Sequence, residues 1–263
     1  MSTDKFLKRI VSPDMEKSDQ KSLHEYTHGL TSDPLVLMAI VWSALIHDVD
    51  HRGVSNMQLA TEEPQMAETY RNKSIAEQNS LDVCWDLLMK HDFADLRQAM
   101  FTDRGDMLRF RQVIVNMVLA TDIFDKELNG LRKQRWQKAF ETTEGTSNVN
   151  LRATIVMEHI IQASDVAHTM QHWHIYRKWN QRLFLEMHAA YKAGRMGKNP
   201  VEFWYQGELG FFDNYIIPLA KKLKDCNVFG VSSDECLNYA LANRREWESR
   251  GQQVVEELKE MVA

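Results

Sequence analysis

Residues 33–56 read DPLVLMAIVWSALIHDVDHRGVSN, and the fold turns on this stretch. Asp33 can accept hydrogen bonds from the exposed amides of a helix start, and Pro34 suits a first turn where no backbone donor is needed. From Leu35 to Ile46 the only polar residue is Ser43. A run apolar on nearly every side predicts a helix at the centre of the fold, and it is too short to cross a bilayer. It ends in His47-Asp48-Val49-Asp50-His51-Arg52-Gly53, a polar cluster released from a buried element.

Working outward, helix starts are expected at Pro64, at Ser74 with Glu77 three residues on, at Asp103 with Asp106, and at Ser232 with Glu235. Val113-Ile114-Met117-Val118, Ile155-Val156-Ile160 and Phe184-Leu185 with Met187 repeat at helical spacing, and no segment alternates as a strand does. The chain has 11 glycines and 5 prolines in 263 residues, too few for a turn-rich fold. The expectation is an all-α, compact bundle of about ten helices. Thr142–Asn150 and Lys192–Pro200 read as loops too short to be linkers, so 1–263 is taken as one domain. Within it, 1–32 is a loop-like entry, 33–222 carries the site, and 223–263 is a C-terminal helical cap.

Charge and cysteine usage exclude some functions. Lys+Arg 32 against Asp+Glu 37 gives a net charge of -5, the wrong sign for gripping a nucleic-acid backbone. Cys84, Cys226 and Cys236 have no metal-type spacing and read as core thiols, which suits a reducing, cytoplasmic setting. The N-terminus MSTDKFLKRI has no signal-peptide core. Arg244–Glu260 reads as a charge-rich helix facing solvent.

His47 and His51 lie four residues apart with Asp48 between, so the imidazoles share a face if helical geometry persists. Imidazole and carboxylate together are metal-ligand chemistry, and a carboxylate can bridge two ions. Helix capping through hydrogen bonds is the alternative for the pair alone. Glu77 is explained equally by a capping box with Ser74, and Asp122 by a hydrogen bond at a helix end. His24 and His28 repeat the four-residue spacing in a polar stretch and read as exposed loop histidines. His168, His172 and His174 read as a polar helix surface.

HDVDHRGVSN closely resembles the HDVDHxGxxN signature of class I cyclic nucleotide phosphodiesterases, a branch of the HD-type metal phosphohydrolases. The resemblance continues in order through Glu77 in SIAEQNSL, Asp122 in VLATD, Asp165 in QASDVAH and GELGFFDNYIIPLA, covering roughly residues 30 to 250. It implies an all-helical pocket with two divalent metal ions, zinc-like at the first site and magnesium- or manganese-like at the second. His47, Asp48 and Asp165 match the first metal's ligands, and Asp48 the bridge to the second. His51 and Glu77 match catalytic groups that orient water, while Asp48, Asn56, Asp165, Glu208, Leu209 and Phe211 match the nucleotide contacts. The implied reaction is hydrolysis of cAMP or cGMP to the 5′-monophosphate, with water activated by the metals attacking the cyclic phosphate in line.

Two departures bear on activity. The family's upstream HNxxHxxxV motif, with the leaving-group acid and one metal ligand, is not found, which resembles truncation at the front. Loss of a general acid costs roughly 10²–10⁴-fold in rate, and missing helices would expose apolar surface on the central helix. The alternative reading is therefore an inactive nucleotide- or metal-binding module. Second, Glu208 stands where the family has a base-reading glutamine, and a carboxylate that only accepts would favour guanine. Further domains in a longer parent chain are compatible with all of this, and oligomeric state is left open.

Overall fold

The computed structural model describes residues 2–10, 24, 26–142, 149–229 and 233–263, and among them there are helices, turns and no strand. The chain opens with α1 (Ser2–Ile10). Phe6 and Ile10, one turn apart, enter the main core, while Asp4 and Lys8 pair at 2.8 Å on the outer face. The entry segment is thus helical over 2–10, because FLKRI carries a short amphipathic repeat.

Next comes α2 (Pro34–Ile46), capped as its sequence requires: Asp33 Oδ1 accepts from the amide of Val36 at 3.2 Å, and Arg109 pairs with the other oxygen. Ala39, Ile40, Ser43 and Ile46 are buried, with the Ser43 hydroxyl donating to Ala39 O. Val41 and Leu45 stay 49% and 73% exposed, so the helix is covered on most sides and bare along one stripe.

A short pair, α3 (Asn56–Glu62) and α4 (Pro64–Thr69), folds against α5 (Ile75–Met89) over a small core of Leu59, Ala67, Ile75 and Ala76. After α6 (Ala94–Met100), α7 (Arg104–Leu119) packs along α2, setting Phe110, Ile114 and Val118 against Ala39 and Ile46. The expected cap at Asp103 is present. The expected capping box at Ser74 is not: Ser74 takes a left-handed conformation (φ 39°), and its hydroxyl reaches Asp122 instead of the helix amides.

The helix α8 (Lys126–Trp136) widens into a π turn at Gln137–Glu141. The loop expected at 142–150 is in part helix, since α9 (Val149–Asp165) begins at its end, and 143–148 lie outside the described residues. It is α9, not α2, that runs through the middle, with every residue from Ile155 to Ala163 buried. Its hydropathy conceals this because Glu158, His159 and Gln162 are interior polar groups with partners: His159 Nδ1 meets Ile155 O, and Gln162 Nε2 donates to Ala120 O.

The rest of the bundle is α10 (Trp173–Lys192), α11 (Pro200–Phe211), α12 (Ile217–Asp225) and α13 (Glu235–Val262). A π turn over Phe212–Ile216 joins α11 to α12 and accommodates Pro218, which has no amide to give to a regular helix ladder. The fully buried Trp247 anchors α13, its Nε1 donating to Tyr205 O, and the bundle closes around it. Ser232 lies outside the described residues. The three cysteines are buried thiols, as their spacing suggests. No described helix is long and apolar enough to cross a membrane.

Candidate metal centre and the cavity beside it

The end of α2 and the end of α9 bring His47, Asp48 and Asp165 together. One ligand atom from each falls within 4.8 Å of the others. His47 is fixed from behind, its Nδ1 donating to Ala44 O at 3.1 Å, so that whenever the ring is neutral the lone pair is on Nε2. That Nε2 is buried and faces two carboxylate oxygens, Asp48 Oδ2 at 3.2 Å and Asp165 Oδ1 at 3.4 Å. Acceptors that face a lone pair need a proton or a cation between them. Burial pulls the imidazole down, but hydrogen bonding and charge from Asp165 and Asp48 outweigh it and raise His47 to about 10. The His47 hydrogen bond in turn holds Asp48 below the usual carboxyl range. A set of one imidazole nitrogen and two carboxylates fits a divalent zinc, magnesium or manganese ion.

The two histidines do not share a helical face. The chain leaves the helix after Ile46, turns through Asp50 at φ 62°, and exposes His51, whose Nδ1 accepts from the amide of Gly53 at 3.2 Å. His51 still lies within electrostatic reach of both Asp48 and Glu77.

Behind this cluster is a carboxylate network whose extent the sequence does not reveal. Asn56 donates through Nδ2 to Glu77 Oε2 at 2.9 Å and to Asp122 Oδ2 at 3.3 Å, and its Oδ1 accepts from the amide of Ala76 at 2.9 Å. Both amide hydrogens and the oxygen are thus engaged, so Asn56 holds this network together. Asp122 also accepts from Ser74 Oγ at 2.7 Å and from the amides of Phe124 and Asp125. Burial, with the charge of Asp122 added, pushes the Glu77 carboxyl up, against the Asn56 hydrogen bond.

Of the three expected contacts on α11, two are not among the residues that line the cavity described next. Glu208 is buried between α11 and α10, where Tyr176 Oη donates to its Oε2 at 2.5 Å and burial raises its carboxyl. That bond occupies one oxygen of Glu208 and leaves the other able to accept. Leu209 packs against the main core. Phe211 does line a cavity of about 390 Å³, stacked on Tyr215 with ring centroids 5.4 Å apart. Ile123, Phe124, Gln162 and Asn214 line it too, and Phe124 is 84% exposed. Burial, and after it the charge of Asp165, raise the Tyr215 phenol, so this wall of the cavity lies within electrostatic reach of the metal centre. Tyr215 was legible only as the aromatic one turn after Phe211.

The remaining histidines stand elsewhere. His24 Nδ1 meets Ser32 Oγ at 2.9 Å, and His28 is half-buried against Phe140, not exposed. His172 meets Tyr239 Oη at 3.0 Å and stacks with His174, while burial lowers His168 beside Trp179.

Fold and site together define a helical domain built around a candidate metal centre, with an aromatic-walled cavity alongside. The family model of the 3′,5′-cyclic nucleotide phosphodiesterases matches residues 19–233, and the chain belongs to that family. It is 25% identical over 228 residues to the probable 3′,5′-cyclic-AMP phosphodiesterase pde-4 of Caenorhabditis elegans, covering 82% of this chain and 33% of that protein. It is 30% identical over 228 residues to the 3′,5′-cyclic-AMP phosphodiesterase 4C of Rattus norvegicus, covering 81% and 41%. The chain thus spans well under half the length of these relatives. The phosphodiesterase domain of Salpingoeca rosetta rhodopsin phosphodiesterase shares the fold, with a TM-score of 0.68 at 19% identity, covering 100% of this chain and 84% of that one.

Proposed function

We propose that this chain hydrolyses 3′,5′-cyclic nucleotides to 5′-monophosphates, using two divalent ions held at and beside His47, Asp48 and Asp165. The observation that carries the reading is the buried His47 Nε2, fixed from behind and faced by two carboxylates. Membership of the phosphodiesterase family and the names of the relatives support it. Divalent ions bound there would neutralise phosphate charge and make water a nucleophile near neutral pH.

The protein's own groups would do the rest. Asp48, whose side chain is open to solvent, would be the carboxylate available to a second ion. Glu77, held by Asn56 and raised by burial, and His51 nearby are the groups able to take or give a proton. Phe211 and Tyr215 offer ring faces to a purine.

A second reading, a module that binds without cleaving, is favoured by one observation. Among the described residues only His47, Asp48 and Asp165 form a metal-type group, and His24 and His28 are engaged elsewhere. Incubation with cAMP and with cGMP, each with zinc and magnesium or manganese, distinguishes them. Release of a 5′-monophosphate that stops in Asp165→Ala supports hydrolysis. Saturable binding with no product replaces it with the module.

A further inference from the structure

The aromatic-walled cavity of Phe211 and Tyr215 has part of its lining on α9. His159 and Gln162, three positions apart and so on one face of that helix, both line it, and they are only 3% and 6% exposed. Each is tied to a backbone carbonyl through its donor. His159 Nδ1 lies 2.6 Å from Ile155 O, and a carbonyl only accepts, so the proton is on Nδ1 and the lone pair on Nε2. Gln162 Nε2 donates to Ala120 O at 2.8 Å, which fixes the amide and leaves Oε1 as an acceptor. Neither His159 Nε2 nor Gln162 Oε1 has a protein donor among the described residues, and neither is sealed from accessible space. Burial pulls the imidazole down, the Ile155 bond resists, and the charges of Lys222, Arg132 and Arg135 add to the fall, to about 4. The ring is therefore neutral near pH 7, and its free nitrogen only accepts.

Two fixed acceptors side by side have a definite complement, an edge with two adjacent N–H donors. Lys222 lines the same cavity, and its charge acts on His159, so a donor stands beside the pair. No carboxylate stands in the described lining. Guanine presents an exocyclic amino group, a ring N–H and a carbonyl oxygen in that order. Adenine has one amino group beside a bare ring nitrogen, whose lone pair would face a buried acceptor.

We propose that His159 and Gln162 make this cavity selective for guanine, His159 accepting from the ring N–H and Gln162 from the amino group, with Lys222 donating to the carbonyl oxygen. Gln162 follows His159 along α9 toward Asp165, and Lys222 acts on His159, which matches the order of groups on the guanine edge. The inference rests on the reading of this cavity as the place of the substrate's base, and it narrows the proposed substrate to cGMP. Both residues determine specificity and leave the reacting phosphate to the metal centre.

Calorimetric titration of the intact chain, in magnesium, with 5′-GMP, 5′-IMP and 5′-AMP tests this, with Gln162→Leu and His159→Phe alongside. The three carry guanine, the same base without its amino group, and adenine, and the proposed reaction does not consume them. In the unaltered chain 5′-GMP should bind about tenfold or more tighter than 5′-AMP, with 5′-IMP between them. Gln162→Leu should bring 5′-GMP down to 5′-IMP while 5′-IMP stays within about twofold, which also reports a folded variant. His159→Phe should bring 5′-IMP down to 5′-AMP, with 5′-AMP as its folding control. The series in the unaltered chain decides even where a variant does not fold. 5′-GMP binding no tighter than 5′-AMP, or ratios unchanged in the folded variants, would overturn the inference and leave hydrolysis standing. Guanine preference in a chain that releases no product would uphold the inference and remove the catalytic reading. No binding of any of the three would overturn the inference together with the placing of the base.

Discussion

Asn56 and Glu208 illustrate how much of the site rests on single side chains. Asn56 joins Glu77, Asp122 and the Ala76 amide, three groups from two other parts of the chain. Its removal leaves two carboxylates facing each other without a shared donor, so Asn56→Ala should lose about 2–3 kcal/mol in urea unfolding. A loss below half a kcal/mol would mean the network is not holding the fold. For Glu208, burial raises the folded-state carboxyl above its ordinary 4.5, so its favourable contribution is complete below about pH 4.5 and fades as pH rises through the folded value. Glu208→Gln keeps an acceptor for Tyr176 and never ionises. It should match the unaltered chain in urea unfolding below pH 4.5 and become the more stable of the two as pH rises, and a difference that does not grow with pH would contradict this. His47 and Asp48 stood out as a candidate pair because HDVDH is dense, whereas Asp165 was reached only through the resemblance, and the structure brings the three together. The bond from Tyr176 to Glu208 was not legible, because a residue's position in a motif does not fix which way its side chain turns.

At the scale of elements, propensity and capping were read best where the residue works locally. Asp33 and Pro34 start α2 as their chemistry demands, and Asp33→Ala should cost about 1–2 kcal/mol through loss of the cap and of the Arg109 pair. Chemical denaturation measures this, and an unchanged midpoint would contradict it. Ser74 failed as a cap because a distant partner, Asp122, competes for its hydroxyl, and nothing in the local pattern announces a partner 48 positions away. The central place of α9 was hidden for a related reason, since its interior polar residues lower its apparent apolarity until their partners are known. Close packing adds one constraint invisible in sequence. A Cβ on Gly251 would come within 2.9 Å of the buried Trp247 ring, so Gly251→Ala should destabilise α13 by roughly 1–3 kcal/mol despite its better helix propensity. A stabilised variant in thermal unfolding would refute that packing.

For the whole molecule, residues scattered from 47 to 165 converge on one centre because α2 and α9 end at the same place, and the aromatic cavity opens beside it from α11 and the turn that follows. The all-helical class and the family were legible from composition and one motif; the cavity walls, formed by segments far apart in the chain, were not. The central claim is that His47, Asp48 and Asp165 bind a divalent ion. With its imidazole raised to about 10, His47 is protonated in the metal-free chain at pH 8, so an ion binding there must displace that proton. Calorimetric titration with zinc at pH 8, repeated in buffers of different ionisation enthalpy, measures both binding and proton release. The account predicts about one proton released per ion at this centre and loss of the event in Asp165→Ala. Binding without proton release, or unchanged in Asp165→Ala, would contradict it.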